Sequence, residues 1–283
     1  NSYHPQSLLN ELQYYITPPH HCSYLDNKSA RMVFLDPAQR IDVVTLSELS
    51  RLGFRRSGDF VYRPECHLCR QCLSCRVPVD LFQMNSQQKK AWKRNQDLTV
   101  KITRTQNANS IHYDLYACYI NERHADGDMY PPNEDQFEKF LMHTCTESFF
   151  LELWKHDRLV SVSTCDPLDD GISAVYTFFD PNESRRSLGV YAILKESKRS
   201  LGTFAVLKQI EYAKAQGLAF VYLGYWVPHS DKMNYKSQYV PLDLLIDGQW
   251  RRLSRSLNPQ EIDQLGRSLM TTLPSGWNHS IIK

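Results

Sequence analysis

Four cysteines at identical three-residue steps, Cys66, Cys69, Cys72 and Cys75, stand among five arginines between Gly53 and Pro78. Thiolates hold soft metals or do redox chemistry, whereas guanidinium groups hold carboxylates and phosphates. Arg55, Arg56, Arg63, Arg70 and Arg76 need an anionic partner that cysteines do not supply, so this stretch predicts an acidic ligand. A second concentration, LGYWVPHSDKMNYKSQY over 223–239, brings Tyr225, Trp226, His229, Lys232, Asn234, Tyr235 and Lys236 into one strand end and loop. Stacking surfaces mixed with cations are what single-stranded RNA recognition uses. Core packing explains Tyr225 or Trp226, but not the two lysines, the histidine and the asparagine beside them.

A third segment, Arg185-Arg186-Ser187-Leu188-Gly189-Val190-Tyr191, falls at an expected strand-to-helix turn. Free backbone N–H groups at such a helix start hold anionic phosphates. Arg186 and Gly189 match half of the Arg/Gln-x-x-Gly-x-Gly/Ala pattern of coenzyme A sites. Tyr191 stands where a small residue is needed, which disfavours a coenzyme A pocket; an ordinary helix start is the other reading.

The elements that must position these groups follow from periodicity. MVFLDP predicts a short strand ended by Pro37, VTLSELSRLG a helix with Gly53 just past its end, and DFVYRP an alternating strand continued in RVPVDLF. SQQKKAWKRNQDL predicts a basic helix opening at Ser86, and DLTVKIT a strand. IHYDLYACYINERH and FEKFLMHTC predict helices separated by the acidic ADGDMYPPNEDQ. FFLELWK, RLVSVSTCDPL and ISAVYTFFDP predict three strands; helical segments over 187–200 and 203–216 and the apolar strand AFVYLGYWV follow. Antiparallel strands, then helix, then a buried strand is the order of an acetyltransferase-like α+β domain. The expected fold is therefore α+β, a GNAT-like C-terminal domain with a smaller N-terminal α/β domain. The expected division is 1–105, a cysteine-containing N-terminal region, 106–145, helices with an acidic linker, and 146–283, the acetyltransferase-like domain.

At 283 residues and 42% hydrophobic content the chain can bury a sizeable core. No window reaches the roughly 18 apolar residues of a membrane span, and NSYHPQSLL lacks the regions of a signal peptide, so a soluble cytoplasmic protein is expected. Eight cysteines, four of them within ten residues, do not form a secreted disulfide scaffold. The net charge of +2 conceals segregation: residues 51–105 carry twelve Lys/Arg against four Asp/Glu, 106–184 four against fifteen, and 185–236 nine against three. Two basic zones suit a polyanion such as nucleic acid.

GFRRSGDFVYRP, SLGVYAILKE and GYWVPHSDKMNYKSQYVPLDLL together resemble the arginyl-tRNA–protein transferase family, and PHHCSYL with RHADGDM resemble its bacterial branch. The resemblance spans residues 14–250, in consistent order. It implies an acetyltransferase-like fold and transfer of an amino acid from aminoacyl-tRNA to the free α-amine of a protein. For the bacterial branch it implies leucine from Leu-tRNA, acceptors with N-terminal Asp or Glu, and targets marked for N-end rule proteolysis.

The resemblance also distributes roles. An acidic acceptor side chain calls for a bidentate donor, from Arg55, Arg56 or Arg76, with Ser57 and Tyr62 on its backbone. Aminolysis of an ester needs a neutral amine and a polarised carbonyl; positioning and backbone N–H groups near Gly224 to Trp226 can supply much of the rate. If a base exists, His229 or Tyr225 is nearest, with Asp231 a weaker choice. Arg185, Arg186, Ser187, Gly189, Trp226, Lys232, Asn234, Tyr235 and Lys236 are expected on the aminoacyl-tRNA, with Lys89, Lys90, Lys93 and Arg94 as a second phosphate patch. Tyr176, Phe178 and Trp226 are candidates for the leucine pocket. Eukaryotic relatives carry a metal or iron–sulfur cysteine set near this region. Cys66, Cys69, Cys72 and Cys75, with Cys22, either hold Zn²⁺ or a cluster or pack as small apolar groups. The chemistry itself requires no cofactor.

Three other classes compete: a non-catalytic tRNA or RNA binder, a coenzyme A-dependent acetyltransferase, and a cysteine-ligated redox sensor.

Overall fold

The structure, a computed structural model, describes residues 9–142, 147–183 and 191–270, with the side chains of 142 and 191–200 excepted. Near the N-terminus, β1 (Tyr14–Ile16), β4 (Met32–Leu35), β6 (Phe60–Pro64) and β5 (Arg55–Ser57) form a four-stranded sheet in that order, and β2 (His20–His21) pairs with β3 (Ser29–Ala30). One face of this sheet, through Leu35 and Val61, packs with Leu46 and Leu49 of α1 (Val43–Arg51). Asp42 caps α1 by accepting from the Thr45 N–H, and Gly53, with φ of 87°, turns the chain out of it into β5.

An eight-stranded sheet carries the main core, in the order β14 (Gln249–Leu253), β13 (Leu242–Ile246), β7 (Leu73–Pro78), β12 (Phe220–Trp226), β11 (Gly171–Phe179), β10 (Arg158–Pro167), β9 (Phe149–Lys155), β8 (Thr99–Arg104). Strands β7 and β8 come from the first hundred or so residues, so this sheet joins both ends of the chain. All its pairings are antiparallel except β11 with β12. Its faces are covered by α2 (Ser86–Arg94), α3 (Ser110–Arg123) and α5 (Tyr191–Ala215). Short α4 (Glu134–Phe137) continues into one π-helical turn over Glu138–Met142, and α6 (Pro259–Ser268) closes the described chain. The architecture is mixed α+β around a large mixed sheet.

Two expectations change. The two helical segments after residue 187 are one helix from Tyr191 to Ala215. Gly202 does not break it, because Leu201, Phe204 and Ala205 around it are buried against the sheet and hold the helix in place. The hairpin of β13 and β14 was not expected, although Asp247-Gly248 between two apolar runs signals it. Both residues have positive φ, 50° and 74°, as a two-residue hairpin turn requires.

Candidate active site

Strands β11 and β12 run parallel only from Gly171 to Ser173 against Phe220 to Tyr222; beyond that they diverge. The opening lies at their carboxyl ends, where α/β sheets commonly hold ligands. Both strands are irregular there. Val175 has no partner on β10, and β12 bulges at Leu223 before Gly224 resumes pairing with Cys75. A bulge frees main-chain groups and re-aims side chains.

Arg55 fills the divergence. Its guanidinium donates from Nη2 to the Ala174 carbonyl at 2.8 Å and from Nη1 to Ser173 Oγ at 3.3 Å. It lies directly over Gly224, whose φ of 85° and missing side chain permit the approach. Among the described residues no carboxylate pairs with it.

The other arginines of the stretch are occupied. Arg56, 4% exposed, is held bidentately by buried Asp166 at 2.5 and 2.8 Å, although it too borders the cavity. Arg63 pairs with Glu65 and stacks on Phe54. Arg70 donates to the Cys66 carbonyl. Arg76 is sandwiched between Phe220 and Trp250, 3.7 and 4.1 Å from the ring centroids, with Asp243 and Asp170 at 3.6 and 3.9 Å. The structure thus places Arg76 outside the cavity, against Phe220 and Tyr222 near the start of β12, where its charge is already matched.

The cavity, about 220 Å³, is walled by Arg55, Ser57, Tyr24, Tyr62, Tyr225 and Lys236, with Phe140, Val175 and Met233 giving one apolar side. It is smaller than the ~300–1,000 Å³ of drug-sized pockets, so it suits the ends of larger substrates rather than a whole molecule. Expected acceptor residues Arg55, Arg56, Ser57 and Tyr62 therefore meet Tyr225 and Lys236 in one place. The Tyr225 hydroxyl donates to the Gly53 carbonyl at 2.7 Å, and burial raises its pKa well above the ordinary value. Its phenol ties β12 to the start of β5 and stays protonated.

Lys236 was expected on tRNA phosphate. It is instead 7% exposed, in the 3-10 segment Asp231–Gln238, donating to the Tyr225 carbonyl at 2.7 Å. No carboxylate pairs with it among the described residues. Burial, chiefly, brings its pKa down to about 8.

His229 lies away from the cavity wall. Gln71 Nε2 is 2.9 Å from its Nδ1 and the Asp263 carboxylate 3.0 Å from its Nε2, and the ring presses on Gly266. Trp226 is fully buried, and its Nε1 donates to Asn234 Oδ1 at 3.0 Å, which fastens the 3-10 segment to β12. Phe178 is equally buried; Tyr176 packs on Phe140. Asp231, Lys232 and Tyr235 are exposed. Lys89, Lys90, Lys93 and Arg94 share α2, whose Trp92 packs at a tilt against Phe204 and under Lys208. Arg185, Arg186, Ser187 and Gly189 lie outside the described residues.

The cysteine ladder divides. Cys75 is fully buried in β7, donates to the Gly224 carbonyl and has a pKa pushed up to about 11, mainly by burial. Cys22, Cys66 and Cys69 lie near Cys72, whose thiol is held protonated by burial and by those neighbours. Among the described residues no three His, Cys, Asp or Glu side chains are arranged to hold a metal ion. Extended β7 accounts for the split: it carries Cys75 into the sheet while the preceding turn keeps the others outside.

A family model described as "Arginine-tRNA-protein transferase, N terminus" matches residues 20–90, and its C-terminal counterpart matches residues 111–198 and 195–246. The aspartate/glutamate leucyltransferase of Acinetobacter baumannii (strain AYE) is 77% identical over 282 residues, 100% of this chain and 99% of that protein. The protein of the same name from Pseudomonas entomophila is 48% identical over 246 residues, 87% of this chain and 99% of its own. Among solved structures, the crystal structure of FemX covers 92% of each chain at 10% identity with a TM-score of 0.41. With both halves of one family matched in order and relatives aligned end to end, the chain belongs to the arginine-tRNA-protein transferase family.

Proposed function

We propose that the chain transfers leucine from Leu-tRNA to the α-amine of proteins beginning with Asp or Glu, with the acceptor's side-chain carboxylate on Arg55. One observation carries the placement: Arg55 is the guanidinium in the cavity that no described carboxylate neutralises. A half-buried cation without a countercharge favours an anionic partner, and a fork-shaped one favours a carboxylate. Ser57 and Tyr62 lie beside it for the acceptor backbone, and Val175, Met233 and Phe140 supply the apolar wall a leucine side chain needs.

The reaction joins an amine to an ester carbonyl, so holding both ends in a cavity of this size contributes much of the rate. Main-chain N–H groups freed at the Val175 and Leu223 irregularities are suited to the developing oxyanion. The antiparallel strands β9, β10 and β11, followed by α5 and then β12 parallel to β11, support a GNAT-like reading of this half. The exposed cations of α2 suit the tRNA backbone. No helix among the described residues is long and apolar enough to cross a membrane. Use of charged tRNA favours the cytoplasm.

The test offers Leu-tRNA and Arg-tRNA in competition with an Asp-initiated peptide. Leucyl peptide by mass spectrometry is expected; arginyl peptide, or none, contradicts the reading.

A further inference from the structure

We propose that Lys236 takes the proton that the acceptor's α-ammonium must lose before it can attack, acting as the general base of the transfer. The inference rests on the aminoacyl-transfer reading. Its observations are geometric. Nζ is tethered to the Tyr225 carbonyl, in the wall of the cavity that also holds Arg55. The groups facing it are Arg55 on β5, Cys72 and Cys75 before and within β7, Tyr24, Tyr62 and Tyr225. None is a carboxylate: the Tyr225 carbonyl accepts from the ammonium and the Cys75 and Cys72 sulfurs favour it, but burial, with Arg55, outweighs them. The thiol of Cys75, with its pKa near 11, is neutral at working pH and supplies no countercharge.

A lysine so placed has a pKa of about 8, close to the ~7.7–8.0 of a protein α-amine. Proton transfer between them is nearly isoenergetic, which is where a general base works best. The remaining candidates are engaged: Tyr225 donates to Gly53, and His229 lies between Gln71 and Asp263.

The step balances as follows. Neutral Nζ takes one proton from the α-ammonium, and the amine nitrogen attacks the leucyl ester carbonyl carbon. The C–N bond forms, the ester C–O bond breaks, and the ribose oxygen leaves with the second amine proton. Lys236 then returns its proton to solvent.

Single-turnover transfer by Lys236→Arg and Lys236→Ala, with Leu-tRNA and an Asp-initiated peptide, tests this across pH 6–9. Arginine keeps the cation but is never neutral, so at least 100-fold loss in rate is expected, with KM for the peptide and affinity for Leu-tRNA within about twofold of wild type. Small primary amines should restore Lys236→Ala, with a pH inflection that follows the pKa of the added amine. An arginine variant at wild-type rate, one defective only in KM, or an alanine variant that no amine restores would overturn the proposal. Wild-type protein that makes no leucyl peptide would instead reject the transfer reading itself.

Discussion

The guanidinium of Arg55 lies so close over Gly224 that a Cβ at that position would come within 2.8 Å of Cζ. Gly224 also has a φ that other residues adopt only at a cost of roughly 1–2 kcal/mol. Gly224→Ala is therefore expected to displace Arg55 from the cavity and lower kcat/KM for Asp-initiated peptides at least tenfold. Steady-state kinetics beside a thermal melt will show it; wild-type kinetics would mean that the contact is not needed.

Arg55 and Arg56 are neighbours in sequence with opposite expected phenotypes. Arg56 and Asp166 form a buried ion pair, and Asp166 also accepts from Ser148. Removing one member strands the other, so Arg56→Ala should lower unfolding free energy by about 3–5 kcal/mol in urea denaturation. Arg55→Ala, which strands no carboxylate, should shift stability by less than about 1 kcal/mol.

Stability should also depend on Glu152. Burial alone would raise its pKa, but donors from His112, Thr103 and Trp154 outweigh burial and hold it below the ordinary 4.5. The ionised form is thus the one the fold favours. Its contribution is fully present above that ordinary value and is lost as pH falls through the folded-state value. Glu152→Gln should be markedly less stable than wild type at pH 7, with the gap narrowing in acid. A gap independent of pH would contradict this.

The cations of α2 should act through phosphate alone. Lys89→Ala and Lys93→Ala are each expected to reduce the salt-dependence slope of tRNA binding by about 1, with no change in preference between Leu-tRNA and other tRNAs. Filter binding from low to moderate salt measures it. An unchanged slope would remove α2 from the tRNA surface.

Much of this was legible in the residues. Alternation marked DFVYRP and a continuous apolar run marked AFVYLGYWV as strands, and the basic helix opens at Ser86 as its Asn85 cap dictates. The two motif regions meet in one cavity, with Arg55, Tyr62, Tyr225 and Lys236 on its wall. Which arginine is available was not legible, because the carboxylates that occupy Arg56 and Arg76 lie far along the chain, at Asp166, Asp170 and Asp243. Lys236 looked like its exposed neighbour Lys232, since sequence carries charge but not depth; one turn of 3-10 helix sends the first inward and leaves the second in solvent. Equal spacing likewise hid that Cys75 enters the sheet while Cys66, Cys69 and Cys72 precede it.

The most direct measurement compares kcat/KM for Asp-initiated and Asn-initiated peptides in wild type and Arg55→Gln. The carboxylate and carboxamide differ in charge but hardly in shape. Wild type should prefer Asp by at least tenfold, and Arg55→Gln should lose that preference while folding normally. A preference for Asp that survives in Arg55→Gln would contradict the assignment of the acceptor carboxylate to Arg55.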